Sequence, residues 1–216
     1  MLGIMIKDCY ESFFIKKNLI GMIISSLCLI AILILMKSIY SMILIVVVAF
    51  PMIGISILQY SMEQDEISKY DKILLTFPIT KEQIVQAKFI STILFTLFVQ
   101  LCLSLPIVCL FTGVYHVTSV QNSFFIWMLG FILSFIMNSL TSIGFFWLGS
   151  KKGTVVYMIF VITFSFAYII LHFAFTVDYL LSLPMYVIII IGSILAIILN
   201  IISYLICVSI YKRKHL

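Results

Sequence analysis

The chain has 216 residues, of which 64% are hydrophobic and only 10% charged, and it carries a net charge of +5. Ordinary soluble domains hold about 25% charged residues, and so few polar groups could not cover a water-soluble fold of this length. The composition excludes a soluble globular domain and points to an integral membrane protein.

In residues 1–18, Leu2, Met5, Ile6, Cys9 and Phe13 recur at helical spacing, while Lys7, Asp8, Glu11 and Ser12 fall on another face. This predicts an amphipathic helix lying on the inner membrane surface. The basic residues come late for a secretory signal, and the stretch Ser25-Ser26-Leu27-Cys28 has Leu where a lipoprotein signal needs a small residue. The first apolar run is therefore expected to be retained.

Crossing a hydrocarbon core takes about 20 helical residues. Six uncharged apolar runs meet that length, at 19–36, 39–60, 89–112, 124–149, 154–175 and 185–211. They are too continuous for barrel strands, which alternate apolar and polar residues. The expectation is one all-α transmembrane domain over 1–216. Only Lys37 and Ser38 separate the first two runs, which requires a tight helical hairpin.

Twelve of the thirteen basic residues fall in the segments before run one, between runs two and three, between runs four and five, and after run six, leaving Lys37 alone on the other side. The positive-inside rule places both termini in the cytoplasm. The net charge is thus a topology signal and no nucleic-acid patch. The outer loops, 113–123 and 176–184, are short; the first is uncharged and the second holds only Asp178. Such loops favour export or extraction from the membrane over import.

No run has Asp, Glu, Lys or Arg in its interior, which argues against an ion-coupled carrier with midplane ionisable groups. Zinc-protease, nucleophile-elbow and phosphate-loop motifs are missing from the sequence. His116, His172 and His215 are too scattered to suggest one metal site. The five cysteines form no Cys-x-x-Cys pair and read as buried, inert thiols. Any uphill transport needs energy from another polypeptide, and so a cytoplasmic handle.

Residues 62–88, MEQDEISKYDKILLTFPITKEQIVQAK, hold nine of the chain's 21 charged residues. Over 62–76 the apolar positions Ile67, Tyr70 and Leu74 form a helical stripe, with Asp65 and Glu66 set to pair with Lys69. Phe77-Pro78 ends that helix. Thr80-Lys81-Glu82-Gln83 then has the spacing of a capping box that starts another. The pattern suits a docking surface or an interfacial helix resting at the headgroups.

The same run resembles the signature of ABC-2 type transporter permeases, in which a Leu-Pro-hydrophobic-Ser/Thr-Arg/Lys turn separates spans two and three; here Phe77 replaces the usual Leu. The basic tail Tyr211-Lys212-Arg213-Lys214 is similar to the family's ending. The resemblance implies a half-transporter core that pairs with a second six-span permease subunit, identical or paralogous, and docks two ABC ATP-binding subunits. ATP and Mg would be held by those subunits, with no cofactor on this chain. It implies that 62–88 is the coupling element: Ile67, Tyr70 and Leu74 as docking face, Asp65, Glu66, Lys69 and Lys72 as its polar rim, and Phe77 and Pro78 setting the angle to span three. The N-terminal helix would be the family's interface helix.

Polar stripes remain within the runs: Gly130, Ser134, Asn138, Thr141 and Ser142; Gly192, Ala196, Asn200 and Ser203; Gln100 and Ser104. Each suits helix packing or a translocation surface, with Gln100, Asn138, Thr141 and Asn200 the candidates for the second role. An uncharged bundle suits an apolar or amphipathic cargo such as a peptide, toxin or drug. A membrane adaptor or immunity protein that binds a peptide through the same loop is the alternative from another class.

Overall fold

The computed structural model describes residues 1–74, 76–174 and 184–214, apart from the side chains of 71, 72 and 171–174. The helices are α1 (Leu2–Phe13), α2 (Lys16–Met36), α3 (Ile39–Ser68), α4 (Tyr70–Leu74), α5 (Lys81–Gly113), α6 (Val120–Ala174) and α7 (Met185–Lys214). There is no strand among the described residues. Among the described residues five helices, α2, α3, α5, α6 and α7, are long and apolar enough to cross a membrane.

Helix α6 is a folded-back pair. Gly149 sits at φ 80° and ψ 179°, outside helical space. A Cβ added to Gly153 would lie 2.6 Å from the Phe145 ring and 2.9 Å from its Cα, and one on Gly144 would lie 3.3 Å from Val156. In a straight helix residues 145 and 153 would be about 12 Å apart along the axis. The arms 120–148 and 150–174 therefore run antiparallel and correspond to the expected runs 124–149 and 154–175. The end of the second run and the loop 176–184, with Asp178, lie outside the described residues, as does His215.

The other boundaries have local causes. Helix α2 stops at Lys37, whose φ of 44° is left-handed, and Ser38 begins α3 by accepting from the Tyr40 N–H at 3.3 Å. This is the tight hairpin that the two-residue gap requires. Helices α3 and α5 each widen into a π-turn, at Leu44–Ala49 and Gln100–Ser104. Pro51 and Pro106 each stand two residues past the end of the π-turn. A proline lacks the N–H for its carbonyl four residues back and its ring crowds that carbonyl, so the ladder shifts by one residue.

Two apolar clusters fill the bundle. One, at the end bearing the charged loop, includes Ile4, Met62, Leu74, Ile84, Phe146 and Tyr211. The other, at the opposite end, includes Leu33, Val46, Phe50, Val99, Phe111 and Trp127. Helices α3 and α6 approach closely at Gly130, where an added Cβ would lie 2.5 Å from the Val46 carbonyl oxygen. Only glycine permits that approach, the usual device where packing rather than water exclusion must hold helices together in lipid. The outer faces of α2 and α7 are exposed aliphatic surface.

Four of the five cysteines, Cys9, Cys28, Cys102 and Cys109, are exposed on the bundle's outside, and only Cys207 is buried. The expectation of buried thiols fails because the outside of this bundle is itself apolar, so a small apolar side chain gains nothing by facing inward.

Candidate functional site

One end of the bundle gathers charge that the sequence scatters over four segments. Lys17 of α2 lies 3.7 Å from Glu63 of α3, and Lys212 of α7 lies 2.5 Å from Glu82 of α5. Lys37 sits at the other end, 5.0 Å from the Tyr115 ring centroid.

At the centre is a buried ion cluster. Lys88 of α5 reaches Asp65 of α3 at 2.6 Å and Asp8 of α1 at 3.6 Å, and donates to Ser61 Oγ at 3.2 Å. Lys7 pairs with Asp65, with Asp8 at 3.6 Å and with Glu11 at 3.3 Å, and its ammonium stands 4.3 Å from the Tyr70 ring centroid. Asp8, Asp65 and Lys88 are buried. Burying charge is tolerable only when it is paired this closely. The Asp8 carboxyl is pushed above the usual carboxylate range, first by burial, against the pull of Lys88 and Lys7. Glu11 shifts the same way, again chiefly through burial.

This arrangement turns α1 over relative to a helix resting on a membrane with its polar face in water. The polar face, Asp8 and Ser12 above all, points into the bundle, while Leu2, Ile6, Tyr10 and Phe14 point outward. The amphipathic pattern is legible in the sequence. Its inward polar partner is not, because Asp65 and Lys88 stand far from Asp8 in the chain and nothing local marks them as buried.

The charged loop is a helix–break–helix, but its first break comes earlier than Phe77-Pro78. Helix α3 continues to Ser68 and stops at Lys69, which takes a left-handed φ of 53°. After α4 and the turn at Phe77-Pro78, Thr80 accepts from the Gln83 N–H at 3.3 Å while Gln83 accepts from the Thr80 N–H at 3.1 Å. The capping box is therefore present where the spacing predicts it.

The expected docking stripe divides. Ile67 is 68% exposed, whereas Leu74 is 1% exposed and belongs to the core. Tyr70 is half-buried against Lys7. The break at Lys69 rotates the residues C-terminal to it, so a stripe calculated for one continuous helix cannot remain on one face. Asp65 is likewise buried rather than part of a polar rim. The outward apolar surface consists of Ile67, Ile73 and Phe77, with Lys69 and Pro78 also exposed. The Lys72 side chain lies outside the described residues. Glu66 turns toward α6: its Oε1 accepts from the Ser150 N–H at 2.6 Å, and its Oε2 accepts from the Ser150 hydroxyl.

The four polar candidates within the bundle all take part in hydrogen bonds. Gln100 is buried and donates to Ser134 Oγ at 3.1 Å, and Trp127 Nε1 donates to the Gln100 carbonyl at 3.2 Å. Asn138 accepts from Ser142 Oγ at 3.3 Å, and Thr141 donates to the Met137 carbonyl at 2.7 Å. Asn200 donates to the Phe135 carbonyl at 2.9 Å, joining α7 to α6. Beside Asn200 is an apolar cleft of about 310 Å³ lined also by Ile93, Phe131 and Ile197. Among the described residues, no three His, Cys, Asp or Glu side chains converge as metal ligands.

No curated protein and no solved structure matches the chain. The family model of the ABC-2 family transporter proteins matches residues 3–212, almost the whole length. This multi-pass membrane protein belongs to the ABC-2 transporter family.

Proposed function

We propose that the chain is the membrane-spanning permease subunit of an ATP-driven exporter, coupled to separate ATP-binding subunits through the segment 67–78. In this reading the arms of α6 count as two spans, giving six, with both termini and the charged end of the bundle in the cytoplasm. A second six-span permease subunit completes the pathway, and two ATP-binding subunits hold ATP and Mg. The cargo is apolar or amphipathic, a peptide, toxin or drug, and moves outward by alternating access.

The observation that carries the reading is the contrast within the loop. Ile67, Ile73 and Phe77 are apolar yet exposed, on the segment that joins Asp65 to Lys88. Those two residues are clamped together at 2.6 Å. A surface meant only to rest among headgroups needs no such base. A surface that must pass force into α3 and α5 does, because a slack attachment would dissipate the movement. The small uncharged outer loop 113–123 supports export over capture from outside.

The test is co-expression with the candidate ABC ATP-binding subunit, purification by a tag on this chain, and ATP hydrolysis measured in lipid. Ile67→Asp should abolish capture or stimulation of the ATPase while leaving the permease folded. Failure of the unsubstituted chain to capture an ATPase would sink the reading and bring the adaptor or immunity role forward.

A further inference from the structure

Helix N-termini leave four backbone N–H groups without intrahelical partners, and a nearby side chain in the sequence usually satisfies one of them. The arm 150–174 is different. Its first residue, Ser150, gives both its N–H (2.6 Å) and its hydroxyl to Glu66, 84 residues earlier in the chain. A carboxylate at a helix N-terminus is favoured by the backbone dipole, and its hydrogen bonds are charge-assisted. Gly149 is fitted to this contact: it has a positive φ of 80°, and an added Cβ would lie 2.6 Å from Glu66 Oε1. Thr154 then donates to the Ser150 carbonyl at 2.8 Å and completes the first turn.

The position of Glu66 gives the contact its meaning. It lies in the last turn of α3, beside Ile67 and three residues before the break at Lys69. Glu66, Ile67, Gln59, Ser150 and Lys151 line one cleft of about 580 Å³. The rest of the arm presents many apolar side chains outward, among them Val155, Ile159, Ile162 and Phe166. Two further polar bonds join it to α3: Tyr157 to the Met52 carbonyl at 3.2 Å and Tyr168 to the Tyr40 carbonyl at 2.9 Å. A lightly packed helix is thus tied at its loop end to the residue next to the exposed docking side chain.

We propose that Glu66 is a positioning residue that transmits displacement of the 67–78 segment to the 150–174 arm, rather than part of the surface that the ATPase touches. The inference rests on the docking role proposed above. In a resting complex Glu66 holds the arm by its N-terminus. When the loop moves, α3 carries the carboxylate, and Ser150 moves with it.

The test uses the complex with its ATP-binding subunit in lipid, with the five native cysteines replaced and a single reporter introduced by Val155→Cys. Maleimide labelling of the reporter is timed with and without ATP plus vanadate. Nucleotide should change the labelling rate several-fold with Glu66 intact. Glu66→Ala should abolish the change while the ATPase still co-purifies, and Glu66→Gln, which retains an acceptor for the Ser150 N–H, should restore part of it. A double variant with Ser150→Ala should be no worse than Glu66→Ala alone. An unaltered nucleotide response in Glu66→Ala overturns the proposal while leaving docking intact. Loss of ATPase capture in Glu66→Ala, as in Ile67→Asp, overturns it in favour of a direct contact. No capture by the chain with Glu66 intact overturns the docking role and this inference with it.

Discussion

Lys88 and Asp65 stand on opposite sides of the charged loop and meet at 2.6 Å inside the bundle. The loop is therefore closed at its base by an ion pair, and both members also touch α1 through Asp8 and Lys7. Helix α1, the last turn of α3 and the first turns of α5 form one charged joint beneath the exposed apolar surface of 67–78.

Breaking that joint from one side should be costly. Lys88→Met leaves Asp8 and Asp65 buried with Lys7 as their remaining close cation, and losing one partner of a buried pair costs about 3–5 kcal/mol. The variant should lose thermal stability in detergent by a comparable amount. Lys88→Met with Asp65→Leu should recover part of the loss, because the uncompensated carboxylate goes with its partner. Equal melting of Lys88→Met and the unsubstituted protein would mean that the joint contributes nothing to stability.

Ile67 and Leu74 separate surface from core. Leu74→Asp places a carboxylate at a fully buried position, where an unpaired charge costs several kcal/mol; the chain should aggregate or fail to accumulate. Ile67→Asp changes an exposed side chain, and its effect on stability should stay within about 0.5 kcal/mol. Size-exclusion profiles and melting temperatures of the two variants check the contrast without any ATPase present.

Much of this architecture is legible from periodicity and charge. The apolar runs, the two-residue hairpin at Lys37-Ser38, the turn at Phe77-Pro78 and the Thr80–Gln83 cap are local features with local causes. The turn of the docking stripe is hidden because Lys69 gives no sign of a left-handed break; Lys is neither Gly nor Asn. The inward polar face of α1 and the Glu66–Ser150 bond depend on partners 58 to 84 residues distant. Periodicity registers that a face is polar but not which way it turns. Gly149 is the one local clue: a glycine just before Ser-Lys-Lys marks the turn, though not the carboxylate it accommodates.

Gly130 should resist any side chain. Its added Cβ would lie 2.5 Å from the Val46 carbonyl oxygen, a backbone atom inside a π-turn, whereas one at Gly113 meets nothing within 4 Å. Gly130→Ala should force α3 and α6 apart and cost about 1–3 kcal/mol; Gly113→Ala should be close to neutral. Melting curves that rank the two equally would remove close helix approach as the reason for glycine at 130.

Asp8 should make the docking of α1 depend on pH. Burial, the largest cause, raises its carboxyl above the ordinary value, with Lys88 and Lys7 pulling down and Asp65 adding to the rise. The ordinary carboxylate value is about 4. Between it and the raised native value, the unfolded chain has released the proton while the native chain keeps it. The native state therefore binds more protons there, and stability falls as pH rises through that window. Below about pH 4 the contribution is fully present, and above the raised value it is gone. Glu11, shifted the same way chiefly by burial, adds to the trend. Asp8→Asn keeps the shape without the titration, so it should be more stable than the unsubstituted protein at neutral pH and lose that advantage toward about pH 4. Hydrogen exchange of the α1 amides across this range checks it, and an advantage that stays constant with pH would remove Asp8 as the titrating group.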